Sequence, residues 1–297
     1  MKRHSCIIWL GVVLFATNAR PVQGDENIGL EGQVGRVAAL KQQAYVEARE
    51  GLEARYRQDP KSFEQLVETS EDWRVRLLCR IVAERVNKAE AIGEFLKQEP
   101  KVPITNEWEG RYEMSGKALA EQGKEVPMFL AERFWRASEF QMMDGELVDW
   151  EFQLYTRYQN ECALARALGY LKLSETRELL ESALDPRFYA EDFEKQSLEK
   201  QKSILREYSH PRGQAARAIG EVGSPLSIPS LIGALEMEDR FGDTSASDRL
   251  GIALARSIDN ADKSMMPLLK QKAAETKVAS RKEYLEKKIR ALEQSEK

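Results

Sequence analysis

Histidine and cysteine are scarce in this chain, with two of the first and three of the second among 297 residues. That leaves little from which to build a zinc site, and no H-E-x-x-H, C-x-x-C or paired-histidine spacing occurs. A nucleophile–histidine–acid triad in the body of the chain would have to use His210. That residue stands directly before Pro211 at a predicted helix start, where a capping or loop role is expected. The phosphate-loop pattern G-x-x-x-x-G-K-S/T is also missing. The acidic stretch with Glu236, Glu238, Asp239, Asp243 and Asp248 lacks the alternating D-x-D-x-D-G ligands of a calcium loop and reads as a solvated turn, so residues 236–248 are expected to be a loop. The expectation is therefore no catalytic residue, no metal ligand and no cofactor.

Long apolar runs are nearly absent too. The exception is "CIIWLGVVLFA", residues 6–16, which follows a basic start at Lys2, Arg3 and His4. A bilayer span needs about 20 apolar residues, so this run suits the core of a secretory signal. Residues 1–24 are read as a signal peptide cleaved after Gly24, and the chain as exported, periplasmic or extracellular. Removing Lys2, Arg3 and Arg20 from the 45 Lys and Arg leaves 42 against 49 Asp and Glu, which takes the net charge from −4 to −7. Nucleic acid needs clustered positive charge, so it is not an expected partner. Membrane insertion of the mature chain is not expected either.

What the sequence does contain is a repeated pattern. A small-large-small trio ends one helix, a short turn follows, and a second apolar stripe begins. Copies start at Ile81, Ala118, Ala167, Ala218 and Ala253, and their trios end at Ala83, Ala120, Gly169, Gly220 and Ala255. In the strongest copy, Ala215, Ala218, Ile219 and Val222 share one helical face, and Ile228, Leu231, Ile232 and Leu235 share another. Pro211 suits a first helical turn, Gly223 a positive-φ helix end, and Pro225 the start of the next helix. "GEVGSP" between the stripes has no lysine and helical flanks, so its glycines are joints rather than a ligand cradle. This stretch, with Ala218, Ile219, Gly220, Gly223, Ser224, Pro225, Ile228, Pro229, Leu231 and Ile232, resembles a HEAT repeat of the short bacterial kind also found in phycocyanobilin lyases.

The resemblance implies an all-α fold: a right-handed α-solenoid of about five HEAT-like helical hairpins over residues 70–272, with helical insertions. Residues 25–35 are read as a flexible leader, 36–69 as N-terminal capping helices, and 273–297 as a C-terminal capping helix. Insertions are expected at 136–159, largely lengthening the following helix, and at 185–211, as a turn at Pro186 followed by a charged helix. Cys79 and Cys162 fall in first helices with one copy between them. Two steps of about 8–10 Å separate them too far for a disulfide, which needs Cα atoms within about 7 Å, so two buried core thiols are expected.

The resemblance and the absence of chemistry together imply a non-enzymatic scaffold or adaptor that binds another protein through a surface lined by second helices. Trp108, Trp135, Arg136, Phe188 and Tyr189 are the candidate binding residues, because aromatics beside arginine in or next to irregular segments match hot-spot composition. The same aromatics could instead plug the seams between copies and insertions. Two other readings stay open: a small-molecule binder or lyase-like enzyme, and a self-associating component of the cell envelope.

Overall fold

The computed structural model describes residues 29–97, 108–140, 157–242 and 245–294. They form helices α1 (Leu30–Ala39), α2 (Gln42–Gln58), α3 (Pro60–Thr69), α4 (Trp73–Asn87), α5 (Ala89–Lys97), α6 (Trp108–Gln122), α7 (Pro127–Phe140), α8 (Arg157–Leu171), α9 (Arg177–Ser182), α10 (Leu198–Glu207), α11 (Ser209–Val222), α12 (Ile228–Phe241), α13 (Ser247–Asp259), α14 (Met266–Glu275) and α15 (Ala279–Gln294), with short 3-10 turns and no strand among the described residues.

The strongest repeat copy folds as its residues dictate. Pro211 sits in the first turn of α11, which buries Ala215, Ala218 and Ile219. Gly223 then takes φ +65°, and its N–H donates to the Ile219 carbonyl at 2.7 Å. Its own carbonyl accepts from Asn260 Nδ2 at 2.9 Å, which ties the turn to the next hairpin. A 3-10 turn over Pro225–Ser227 leads into α12, which buries Ile228, Leu231, Ile232 and Leu235.

The small residues of the trios have a direct structural purpose. A Cβ added to Gly169 would lie 2.6 Å from the Ala218 Cα, and one added to Gly220 would lie 3.2 Å from the Ala253 Cα. The last residue of one trio thus rests on the first residue of the next. That contact sets the spacing of α8, α11 and α13. Helices α6, α8, α11 and α13 pack side by side as one layer, while α7 packs on α8, α9 on α11, and α12 on α13 as the second layer. At the far end α15 lies on α14 and α13 and buries Leu285 and Ile289.

The N-terminal third departs from the expected array. Helix α4 does not join the row of first helices. It packs on α1, α2, α3 and α7 and touches α9. Val75, Leu77, Leu78, Cys79, Ile81 and Val82 are all buried, so this helix is apolar on more than one side and needs cover from several directions. Among the described residues α2 reaches α7, where its Tyr45 and Arg49 bind Glu132.

A buried carboxylate holds this arrangement. Glu132 of α7 accepts from the Tyr45 hydroxyl at 2.8 Å, from Arg49 Nη1 at 2.8 Å and from Arg85 Nε at 2.7 Å. One side chain of α7 thereby fastens both α2 and α4. Further out, Arg76 and Arg80 of α4 pair with Glu178 and Glu175 beside α9.

Two expectations of irregular structure are corrected. Residues 30–35, assigned to a flexible leader, are the first turns of α1, where Val34 is fully buried. Residues 236–241, assigned to an acidic loop, continue α12 as far as Gly242 at φ +63°. Glu238 there is buried because Arg212, itself fully buried, donates to it at 2.5 Å and also to the Leu184 carbonyl at 2.8 Å. The insertion at 185–211 has 3-10 turns at Pro186–Phe188 and Phe193–Lys195 and then α10. Residues 1–24, and most of the stripe expected across 136–159, lie outside the described residues. Cys79 and Cys162 are both free and buried. Burial pushes the Cys79 thiol up to about 12 and the Cys162 thiol well above its ordinary value. Among the described residues no helix is long and apolar enough to cross a membrane.

Candidate binding groove

Second helices of successive hairpins leave a valley between them. Between α9 and α12 this valley opens into a groove of about 700 Å³, within the roughly 300–1,000 Å³ typical of ligand sites. Helix α9 contributes Glu178, Glu181 and Ser182, followed by Leu184 and Asp185. Helix α12 contributes Ser230, Gly233, Ala234 and Met237, and Trp73 at the start of α4 together with Phe188 and Arg187 closes the ends. The α12 residues follow the i, i+3, i+4, i+7 spacing of a single helical face. Along this face Gly233 is exposed and Ser230 and Met237 are half-buried, while Ala234 belongs to the core.

Polar groups around the groove are held in place by neighbours. Glu181 accepts from Arg177 Nη1 at 2.8 Å, from Ser227 Oγ at 2.6 Å and from Ser230 Oγ at 3.3 Å. Glu178 pairs with Arg76, and Arg177 approaches it at 3.5 Å. Asp185 caps the 3-10 turn through the Arg187 N–H at 2.8 Å and binds the Arg187 guanidinium. Ser182 Oγ donates to the Glu178 carbonyl at 2.9 Å. At Gly233 an added Cβ would meet nothing within 4 Å, so the floor is bare at that point.

The aromatic walls rest on the core. Trp73 packs at 5.8 Å from Trp135, and Phe188 stacks on Phe134 at 5.9 Å. This locates the candidate residues. Phe188 lines the groove. Trp135 stands behind Trp73 and is buried. Arg136, also buried, donates to the carbonyls of Ala38 at 2.9 Å and Leu40 at 3.0 Å, satisfying the end of α1, while its guanidinium lies over the Tyr45 and Trp135 rings. Tyr189 stacks on Tyr208 at 4.7 Å and donates to the Ala183 carbonyl at 3.1 Å. Trp135, Arg136 and Tyr189 are thus buried at internal seams. The side chain of Trp108, which opens α6, lies outside the described residues. Trp73, Glu178, Glu181, Gly233 and Met237 were missed. For the residues of α9 and α12 the signal was the stripe that remains once the buried stripe of each second helix is assigned.

Paired helices stacked in two layers, with matched small residues at each step, define a helical-repeat protein. Residues 211–237, which span α11 and α12, match the family model for the PBS lyase HEAT-like repeat, so this hairpin is similar to a HEAT-like repeat. No curated protein and no solved structure matches the chain. Among the described residues no group of three or more His, Cys, Asp or Glu is placed to hold a metal ion.

Proposed function

We propose that this protein is an exported, non-enzymatic HEAT-repeat scaffold or adaptor that holds another protein on its second-helix face, with the hairpins following a right-handed superhelix. The observation that carries the reading is the groove between α9 and α12. It joins two hairpins, it is open, and aromatic and apolar side chains alternate there with positioned polar groups, as at interface centres. Repeat proteins use such inter-repeat surfaces for extended partners. Export is supported by the basic start at Lys2–His4 followed by the apolar run 6–16.

The test is crosslinking of the chain lacking its first 24 residues within its own cell envelope, with mass spectrometry of what remains attached. The reading expects one specific protein joined through residues of α9, α12 or the turn at Pro186–Phe188. Recovery of the chain alone, monomeric and free of partners, would refute it.

A further inference from the structure

We propose that the outer face of the first-helix layer binds a phosphate-type oxyanion, held by Lys117 of α6, Tyr170 of α8 and Arg217 of α11 over the buried Arg166. The site is separate from the α9–α12 groove and does not rest on the scaffold reading. Repeat register builds it. Lys117, Arg166 and Arg217 each stand three positions before the last residue of a trio (Ala120, Gly169 and Gly220). Since α6, α8 and α11 lie side by side, the three cations form a row across the layer. In α13 the same position is Ile252, 56% exposed, and the row ends there.

Arg166 is the residue that points to a ligand. It is 5% exposed, and its stem lies on bare Gly116, where an added Cβ would stand 2.5 Å from the Arg166 Cβ. Its Nη2 donates to the Tyr170 hydroxyl at 2.6 Å, while Nε and Nη1 are buried without a hydrogen-bond partner. Among the described residues no carboxylate forms an ion pair with it, and a buried charge without a counter-ion is costly. Its guanidinium lies 4.7 Å from the centre of the Tyr170 ring, and Lys117 Nζ lies 5.7 Å from the same centre, so two cations share one ring and repel each other. Glu113 answers them in part. Lys117 binds it at 2.9 Å, and that hydrogen bond, with the charges of Lys117, Arg166 and Arg217, holds its carboxyl below the usual carboxylate value.

Donors remain for an incoming anion. An ammonium has three, of which Glu113 takes one. Tyr170 accepts from Arg166, which polarises its hydroxyl and leaves the O–H to donate. Arg217 is engaged as well, and a guanidinium brings five N–H groups. The buried Nε and Nη1 of Arg166 stay out of reach, so Arg166 acts through Tyr170 and through its charge at short range; the anion supplies the counter-charge it lacks. Donors arriving from three helices suit an oxyanion with three free oxygens better than a planar carboxylate with two.

The experiment follows the thermal midpoint of the protein as inorganic phosphate is added at constant ionic strength, with acetate as the planar control. At about ten times its dissociation constant, phosphate should raise the midpoint by about 3–6 °C. Phosphate also stabilises folded proteins by exclusion from their surface, so the reading is the difference between wild type and variants. Tyr170→Phe removes a donor, Lys117→Gln removes the ammonium, and Arg166→Met removes the charge behind them; each should lose most of the rise. If Arg166→Met does not fold, the other two variants decide. Equal rises in wild type and in the folded variants would overturn the proposal, as would an equal rise with acetate. Vesicles of phosphatidylglycerol, compared with phosphatidylcholine, tell the source of the group. Cosedimentation that phosphate competes away and that Tyr170→Phe abolishes assigns it to a lipid; phosphate binding without cosedimentation assigns it to a soluble compound. Either result supports the site.

Discussion

Replacing Glu132 by glutamine would release the N-terminal helices from the repeat stack. The carboxylate is 1% exposed. Burial alone would raise its pKa, but the charges of Arg85, Arg49 and Arg133 outweigh burial and bring it from the usual 4.5 to about 2. A depression of that size corresponds to roughly 3 kcal/mol of folded-state preference for the ionised form. The sign follows from the unfolded chain, which binds this proton more readily than the folded one. The contribution is complete above pH ~4.5 and is lost as pH falls through about 2. Glutamine removes it at every pH, leaves Arg85 without its carboxylate and leaves Arg49 with Glu53 alone, and breaking a buried pair in this way typically costs about 3–5 kcal/mol. At about 2–4 °C per kcal/mol for a chain of this size, the thermal midpoint at pH 7 should fall by on the order of 10 °C. The gap between wild type and variant should narrow steadily from pH 5 towards pH 2. Hydrogen exchange should accelerate in α1, α2 and α4 and stay near wild type in α11 and α13. A midpoint within about 2 °C of wild type at pH 7, a gap that is the same at every pH, or exchange that rises evenly along the chain would each refute the reasoning.

Gly169→Ala should destabilise by about 1–3 kcal/mol, because the new Cβ meets the Ala218 backbone at 2.6 Å and overpacks the seam between α8 and α11. Gly93→Ala, where nothing lies within 4 Å, should stabilise by about 0.5–1 kcal/mol through helix propensity; thermal denaturation of the pair that gave the same sign would refute the close-approach argument. Cys79 and Cys162, buried and with raised pKa values, should resist a thiol reagent at pH 8 until denaturant unfolds the chain, and rapid labelling in native buffer would contradict their burial.

What could be read from sequence was whatever depends on local pattern. Gly223, Pro225 and the stripe from Ile228 to Leu235 state a helix end, a turn and a buried face within thirteen residues, and the structure follows them. The trio residues signalled close packing but not its register, because Gly169 meets Ala218 only through a neighbour some fifty positions away. Helix α4 misled for the same reason. Its trio resembles the others, yet its place is decided by α1, α2, α3 and α7, which no local window includes. Charge misled twice. Arg136 beside an aromatic looked like a surface anchor and instead closes the end of α1. Glu238 looked solvated and instead neutralises Arg212 in the interior. A charged residue declares its need for a partner, not where the partner stands.

The ion pairs from α2 and α4 to Glu132, Glu175 and Glu178 reach two consecutive hairpins, α6–α7 and α8–α9. They act as a ruler laid across those two units. Duplicating a hairpin between α7 and α9 would move Glu178 away from Arg76 while Glu132 stayed with Arg49 and Arg85, so that part of the array has a fixed length. Between α11 and α13 the step is set by the contact of Gly220 on Ala253, and Arg281 of α15 pairs with Asp239 of α12 at 2.8 Å, so the last hairpin is spanned by an ion pair as well. The array is thus measured on both sides of the groove at α9–α12, by the ion pairs of α2 and α4 on one side and by that of α15 on the other.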